Sequence, residues 1–234
     1  MKWNVAVRKT MGEPLHRFEL DIAFASDATR LVLFGPSGAG KTLTLKAIAG
    51  LLRPDQGHVA LDGEVLFDAE AGIDVPARDR HLGYLFQEYT LFPHLTVRQN
   101  IAFGLDKGWR NPRRHVDSPA VDRLLDALEL RPFGDRFPDQ LSGGQRQRTA
   151  LARALAAQPR ALLLDEPFAA LDMPLRSKLR AELRELQQRF ALPILLITHD
   201  VADVEAFADD IVQVDAGKAV FGATFAAPAR SGPI

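Results

Sequence analysis

Arg30-Leu31-Val32-Leu33-Phe34 runs directly into Gly35-Pro36-Ser37-Gly38-Ala39-Gly40-Lys41-Thr42. The first five residues are strand-like, Leu43 to Ala49 is helix-like, and the eight residues beginning at Gly35 match G-x-x-x-x-G-K-[ST]. A strand, a glycine-rich turn and a helix in this order read as a phosphate loop. Glycine lets backbone N–H groups turn inward around an anion with no Cβ in the way. The helix starting near Lys41 aims its positive end at the same anion. Lys41 is expected to neutralise the β- and γ-phosphates of a nucleotide, and the Thr42 hydroxyl to ligate Mg²⁺. A chance Lys-Thr after a glycine turn would not account for the flanking strand and helix.

A second apolar run, Ala161-Leu162-Leu163-Leu164, shows no alternation and so reads as a parallel strand covered on both faces. Asp165 then emerges at the strand's C-terminal end, where open α/β sheets bind ligands. It is the expected Mg²⁺ partner, either as a direct ligand or through a group that is itself bound to the ion. Glu166 is the expected general base, a task that needs an ionised carboxylate close to the attacking water. Pro167 stops the strand. An isolated Asp-Glu pair at a strand end would be an ordinary solvated pair.

Upstream of that run stands Leu141-Ser142-Gly143-Gly144-Gln145. It precedes an apparent helix, Gln145 to Ala157. A hydroxyl and two glycines at a helix N-terminus form a second anion site. Ser142 can cap the helix and donate to a phosphate, since both roles occupy the same place.

In this order the three elements resemble the nucleotide-binding subunit of an ABC (ATP-binding cassette) transporter, from about Trp3 to about Gly222. The resemblance implies the following roles. Gln87, after the strand-like Leu82 to Phe86, matches the Q-loop that senses Mg²⁺ and the attacking water. Leu171-Asp172 matches the D-loop. His199, after the apolar Ile194 to Thr198, matches the switch histidine that contacts the γ-phosphate. A lone His or Gln after a strand is ordinarily a cap or surface residue, and only the order of motifs changes that. Glu166, His199 and Gln87 are then the catalytic set, and Thr42, Gln87 and Asp165 the metal set. Ser142, Gly143, Gly144 and Gln145 would close on the ATP of another subunit. The implied assembly is a head-to-tail pair of cassettes with two ATP molecules between them.

Composition is compatible with this. The chain has 234 residues, 47% hydrophobic and 25% charged, ordinary for a globular domain with a sizeable core. A net charge of -1 gives no bulk electrostatic argument for nucleic acid. The absence of cysteine excludes disulfides, thiolate metal sites and cysteine nucleophiles. No apolar run reaches bilayer length and Met1 to Thr10 has no secretory core. The expected location is the cytoplasmic face of the membrane, reached through a partner.

The patterning predicts an α/β fold: a P-loop NTPase core with a parallel sheet, an antiparallel β layer and an inserted helical subdomain. Strands are expected near Asn4–Val7, Phe18–Ala25, Arg30–Phe34, His58–Leu61, Leu82–Phe86, Ala161–Leu164, Ile194–Thr198, Ile211–Val214 and Lys218–Phe221. Helices are expected over Thr42–Ala49, Val97–Phe103, Ala120–Leu130, Gln145–Ala157, Leu175–Arg189 and Val201–Ala208. Alternation of strand and helix argues for the parallel core. Residues 1–234 form one ABC ATPase domain, in which 1–87 and 148–222 make the RecA-like core with its β layer, 88–147 the helical subdomain and 223–234 a weakly ordered tail. Lys107 to Pro119 reads as a mobile connection.

Two departures accompany the resemblance. Met11-Gly12 stands where the family usually has an aromatic residue that stacks on adenine. Phe18 is the nearest aromatic candidate, with Trp3 further off, and a core role for Phe18 is equally open. The sequence also stops soon after the core, so the C-terminal regulatory β-domain of many molybdate and sugar importer ATPases is not expected.

Tyr89, Leu91, Phe92, Pro93 and Leu95 form an apolar cluster suited to a helix of another protein. In importers this groove receives a cytoplasmic helix of the membrane permease subunit. The residues also suit the lobe's own core, so a mixture is expected, with Leu95 and Val97 inside and Tyr89 and Phe92 nearer the groove. Asp68 to Ile73, Gly83 to Gln87 and Leu91 to His94 are similar to molybdate-importer ATPases, and Phe18-x-Leu20-Asp21-x-x-Phe24 to short oxyanion-importer cassettes. Leu91 to Thr96 is shared with importers of sulfate, iron, sugars and polyamines. The resemblance implies import of a small solute, with molybdate favoured. It involves permease subunits and, indirectly, an extracytoplasmic solute-binding protein. The alternatives are import of another of these solutes or a soluble, non-transport ABC ATPase. The soluble ATPases of repair carry a long coiled coil and those of translation two cassettes, neither of which is present here.

Overall fold

The computed structural model describes residues 2–13, 17–105, 111–113, 116–169 and 173–220. Leu171-Asp172, Phe221, the tail and parts of the Lys107–Pro119 connection lie outside the described residues.

The unbroken apolar runs become the middle of one sheet. β3 (Arg30–Phe34), β8 (Ala161–Asp165) and β9 (Ile194–Thr198) are parallel neighbours, flanked by β7 (Leu82–Leu85) and β10 (Asp210–Asp215). Successive side chains leave on opposite faces. Leu31, Leu33, Ala161, Leu163, Leu195 and Ile197 face α1 (Lys41–Ala49) and the β layer. Val32, Leu162, Leu164, Ile194 and Leu196 face the helices on the other side. Both faces are covered, so the strands read as continuous apolar runs rather than alternating ones.

The antiparallel layer reads differently because one face is open. In β1 (Trp3–Met11) Trp3, Val5 and Val7 are buried, and in β2 (Phe18–Ser26) Leu20, Ile22 and Phe24 are. β4 (Gln56–Leu61) and β5 (Glu64–Asp68) continue this layer, with β6 (Ile73–Asp74) at its edge. The two layers form one eleven-stranded sheet, ordered β6-β5-β4-β1-β2-β11-β10-β3-β9-β8-β7, where β11 is Lys218–Val220. β5 and β6 were not expected from sequence: β5 has only three apolar residues between Glu64 and Asp68, and β6 is the pair Ile73-Asp74.

The helical lobe contains α2 (Val97–Phe103), α3 (Pro119–Ala127) and the start of α4 (Gly143–Ala156). α3 stops earlier than expected, since Glu129 takes a left-handed backbone (φ 55°). α4 is one continuous helix that begins in the lobe and ends against the sheet, so the expected boundary at 147/148 falls inside it. α5 (Met173–Phe190) and α6 (Val201–Phe207) complete that side.

Tyr89 departs from expectation. It is buried in the core shared by the lobe and the sheet, not on a groove. Tyr89 and Thr90 both have positive φ (58° and 39°), and their carbonyls accept hydrogen bonds from Arg153 of α4 at 3.1 and 2.9 Å. This turn holds the Tyr89 ring inside. Leu95 and Val97 are buried as expected, and Phe92 is half-buried.

Candidate nucleotide site

The phosphate loop connects β3 to α1 at the C-terminal edge of the parallel strands. Two of its glycines are required by geometry. A Cβ on Gly35 would lie 2.0 Å from the Val214 carbonyl oxygen. Gly40 has φ +100°, and a Cβ there would meet Leu20 and Phe18 at 2.8 and 3.2 Å. Gly40 therefore enters α1 without a side-chain cap, leaving first-turn N–H groups open to an anion. The β10–β11 turn ties the loop down, Gly217 N–H donating to the Ala39 carbonyl at 2.9 Å.

Lys41 is buried, and its ammonium donates to the Gly35 and Pro36 carbonyls at 2.8 Å each. Burial pushes its pKa down, while the carboxylates of Glu166 and Asp165 act the other way. The Thr42 hydroxyl donates to Asp165 Oδ1 at 2.9 Å, across 123 residues of sequence. Asp165 is itself buried. Burial raises its pKa, and hydrogen bonds from Thr42 and Tyr84 oppose that rise. Tyr84 donates to Asp165 Oδ2 at 3.2 Å, and burial drives its phenol pKa far above the ordinary value, so it remains a donor.

Glu166 follows at the strand end in a left-handed backbone (φ 46°), an uncommon conformation for a residue with a side chain. Its Oε2 lies 3.2 Å from His199 Nδ1 and its Oε1 lies 3.9 Å from Lys41 Nζ. His199 sits in a loop fixed from α5. The Thr198 hydroxyl donates to Asp203 Oδ2 at 2.5 Å, Arg180 Nε donates to Asp203 Oδ1 at 2.6 Å, and Arg176 donates to Asp200 at 2.5 Å.

Phe18, residues 37 to 43, Gln87 and Glu166 line one cleft of about 400 Å³. The structure thus brings together the phosphate loop, Asp165, Glu166, His199 and Gln87. It does not bring Ser142, Gly143, Gly144 and Gln145 to this cleft. Those residues begin α4, where the Ser142 hydroxyl accepts from Gln145 N–H (3.3 Å) and Gln145 Oε1 accepts from Ser142 N–H (2.9 Å). Phe18 lies beside Gly40 and pairs across the strands with Met11. Trp3 is a core residue, its indole N–H donating to the Ala28 carbonyl at 3.3 Å.

Sequence reasoning missed Tyr84, whose signal was one hydroxyl in an otherwise apolar strand. It also missed Arg80, buried with its guanidinium donating to the Ala47 and Ile48 carbonyls at the end of α1. An arginine at the end of the charged stretch Arg78-Asp79-Arg80 carries no mark of such a partner.

The fold and the cleft define a P-loop nucleotide-binding protein. Residues 21–169 match the ABC transporter family. A probable sulfate/thiosulfate import ATP-binding protein of Chlorella vulgaris is 43% identical over 221 residues, covering 93% of this chain and 87% of that protein. The molybdenum import ATP-binding protein of Paramagnetospirillum magneticum is 41% identical, covering 92% of this chain and 57% of its own length. The sulfate/thiosulfate import ATP-binding protein of Synechocystis is 49% identical, covering 82% and 52%. The chain therefore spans about half the length of these last two relatives. Among solved structures, the ATP-binding cassette MJ0796, dimeric in a post-hydrolysis state with ADP and Pi, superposes with a TM-score of 0.75. It is 29% identical, with 94% of this chain and 96% of that one covered.

The chain belongs to the ABC transporter family. It is an ATP-binding ATPase cassette, and its similarity runs to the ATP-binding subunits of importers.

Proposed function

We propose that this chain is the subunit whose ATP hydrolysis powers uptake of a small inorganic oxyanion. The observation that carries the reading is the convergence of Lys41, Thr42, Asp165, Glu166 and Gln87 at one cleft, with the Ser142 helix start outside it. One chain supplies the phosphate loop, and a second copy would supply the Ser142, Gly143, Gly144 and Gln145 edge. That is a head-to-tail dimer with two ATP molecules enclosed.

The donor chemistry suits Mg²⁺. Asp165 and Thr42 offer hard oxygens, and Mg²⁺ is commonly held by one or two carboxylates plus substrate phosphates. Thr42, Asp165 and Gln87 would hold it, and it would neutralise charge developing on the phosphates. Lys41 binds the phosphates, Glu166 accepts the proton of the attacking water, and His199 holds Glu166 and reaches the γ-phosphate. The residues of the phosphate loop, Gly35 to Thr42, form the rest of the ATP site, with Phe18 beside it as the aromatic wall.

Closure of two cassettes moves the helical lobes together. Tight coupling would pass through Phe92 and its neighbours to a permease helix. The Phe92 ring packs on Phe103 (4.4 Å between centroids) and under Arg153 (5.3 Å), and the residue stays half-buried. Among the described residues no helix is long and apolar enough to cross a membrane. A peripheral position at the cytoplasmic face, held by permease subunits, follows from this reading.

The relatives' names divide between sulfate/thiosulfate and molybdenum import, so the oxyanion class is proposed without preference for molybdate. Glu166→Gln tests the enzymatic core. The amide keeps its shape and cannot take a proton, so ATP binding should persist while hydrolysis falls about 100-fold or more. An ATP-dependent dimer should appear in size-exclusion chromatography. A monomer under all conditions, or normal turnover, contradicts the assignment. Uptake by the complex with its permease, compared among sulfate, thiosulfate, molybdate and tungstate, tests the solute. Preference for an organic solute over all four rejects the oxyanion.

A further inference from the structure

The Asp165 carboxylate is anchored twice, and the two anchors have different origins. Thr42 belongs to the phosphate loop, and its contact to Oδ1 (2.9 Å) lies where the nucleotide binds. Tyr84 belongs to the sheet, and its contact to Oδ2 (3.2 Å) does not involve the nucleotide-binding loop. Among the described residues these two hydroxyls are the hydrogen-bond donors to that carboxylate.

Strand register explains the second contact. β7 and β8 run parallel with Tyr84 opposite Leu163. Leu163 and Asp165 are two residues apart and share a face, so the Tyr84 ring rises along that face to the carboxylate. The ring is steadied by Phe86, two residues on, at 4.3 Å between centroids. It also packs against the buried cluster that contains Leu163. A carboxylate turns about a broad, two-fold terminal torsion, so a single hydrogen bond from a loop would leave it free to rotate.

We propose that Tyr84 is a positioning residue for the metal-binding carboxylate. Its hydroxyl pins Asp165 Oδ2 to the sheet, so that Oδ1 stays beside Thr42 and directed at the nucleotide's divalent cation. The inference rests on the reading of Asp165 as a cation ligand. Removing the hydroxyl leaves a buried oxygen without a donor and the carboxylate able to turn away.

The test uses Mn²⁺ as a paramagnetic substitute for Mg²⁺, titrated into the full chain with a non-hydrolysable ATP analogue. Bound Mn²⁺ is read by electron paramagnetic resonance. Tyr84→Phe should weaken Mn²⁺ binding about 3- to 10-fold, the net loss expected for one ordinary hydrogen bond, since Tyr84 acts on the cation only through Asp165. Binding of the analogue in EDTA should stay within about twofold, because the phosphate loop is untouched. Asp165→Asn is the control for the underlying reading. If it leaves Mn²⁺ affinity unchanged, Asp165 is not a ligand and both statements fall. If it weakens Mn²⁺ while Tyr84→Phe does not, only the positioning role is overturned. A lower melting temperature in Tyr84→Phe with unchanged Mn²⁺ affinity also overturns it, since that is the mark of a purely structural hydroxyl. Should Tyr84→Phe fail to fold, Tyr84→Met, which keeps an apolar side chain and lacks the donor, is judged by the same criteria.

Discussion

α1 and α4 both start at glycine-rich turns suited to anions, and they are finished in opposite ways. Gly40 enters α1 through a left-handed backbone with no capping side chain, and a buried Lys41 stands at its first position. Among the described residues no side chain caps the first turn in competition with a ligand. α4 closes on itself: Ser142 and Gln145 exchange a reciprocal pair of hydrogen bonds at the exposed surface. A capping box satisfies two orphan donors from within the chain. The first terminus is therefore built to take an anion alone. The second is stable without one, and its remaining donors gain by meeting an anion held by something else.

That contrast predicts that damage to the two termini separates binding from turnover. The largest effect is expected for Ser142→Arg. Ser142 lies outside the nucleotide cleft, so analogue affinity should remain near wild type. ATPase activity should fall about 100-fold, the scale for loss of one preorganised donor to transition-state charge. Equal loss of nucleotide binding would break the comparison. Lys41→Ala should act on the other side of it. Losing a charge-assisted contact of about 1.5–3 kcal/mol weakens ATP affinity roughly 10- to 100-fold, which fluorescence titration would detect. Unchanged affinity would mean that backbone N–H groups alone hold the phosphates. Ser142→Ala is the smallest change and sharpens the account of the cap. It should cost about 1 kcal/mol of stability, read by denaturant melting, with nucleotide affinity preserved. No loss of stability would show that the capping box is not made in solution.

The halves of the sheet differ in how legible they were. β3, β8 and β9 were readable to within a residue, because double coverage writes an uninterrupted apolar run into the sequence. β5 and β6 were missed: β6 has two exposed residues, and β5 buries only Leu66 and Phe67. Tyr89 was placed outward on its composition, while two left-handed residues and a buried arginine from α4 turn it inward. Trp3, the more distant aromatic candidate for adenine, is a core residue, because strand alternation puts it beside Val5 and Val7.

The sequence by itself determined the phosphate loop, the acidic pair at the end of β8, the order of motifs and the α/β class. Each of these is local: a backbone turn needs glycine where φ is positive, and an apolar run records its own burial. Only the tertiary structure decided that Thr42 and Tyr84 share one carboxylate, that Arg80 closes the end of α1, and that Glu166 meets His199. Those contacts join residues 123, 81, 33 and 33 positions apart. A hydrogen bond across such a separation leaves no periodic trace in the chain, because strand order in the sheet, not distance in sequence, brings its two ends together.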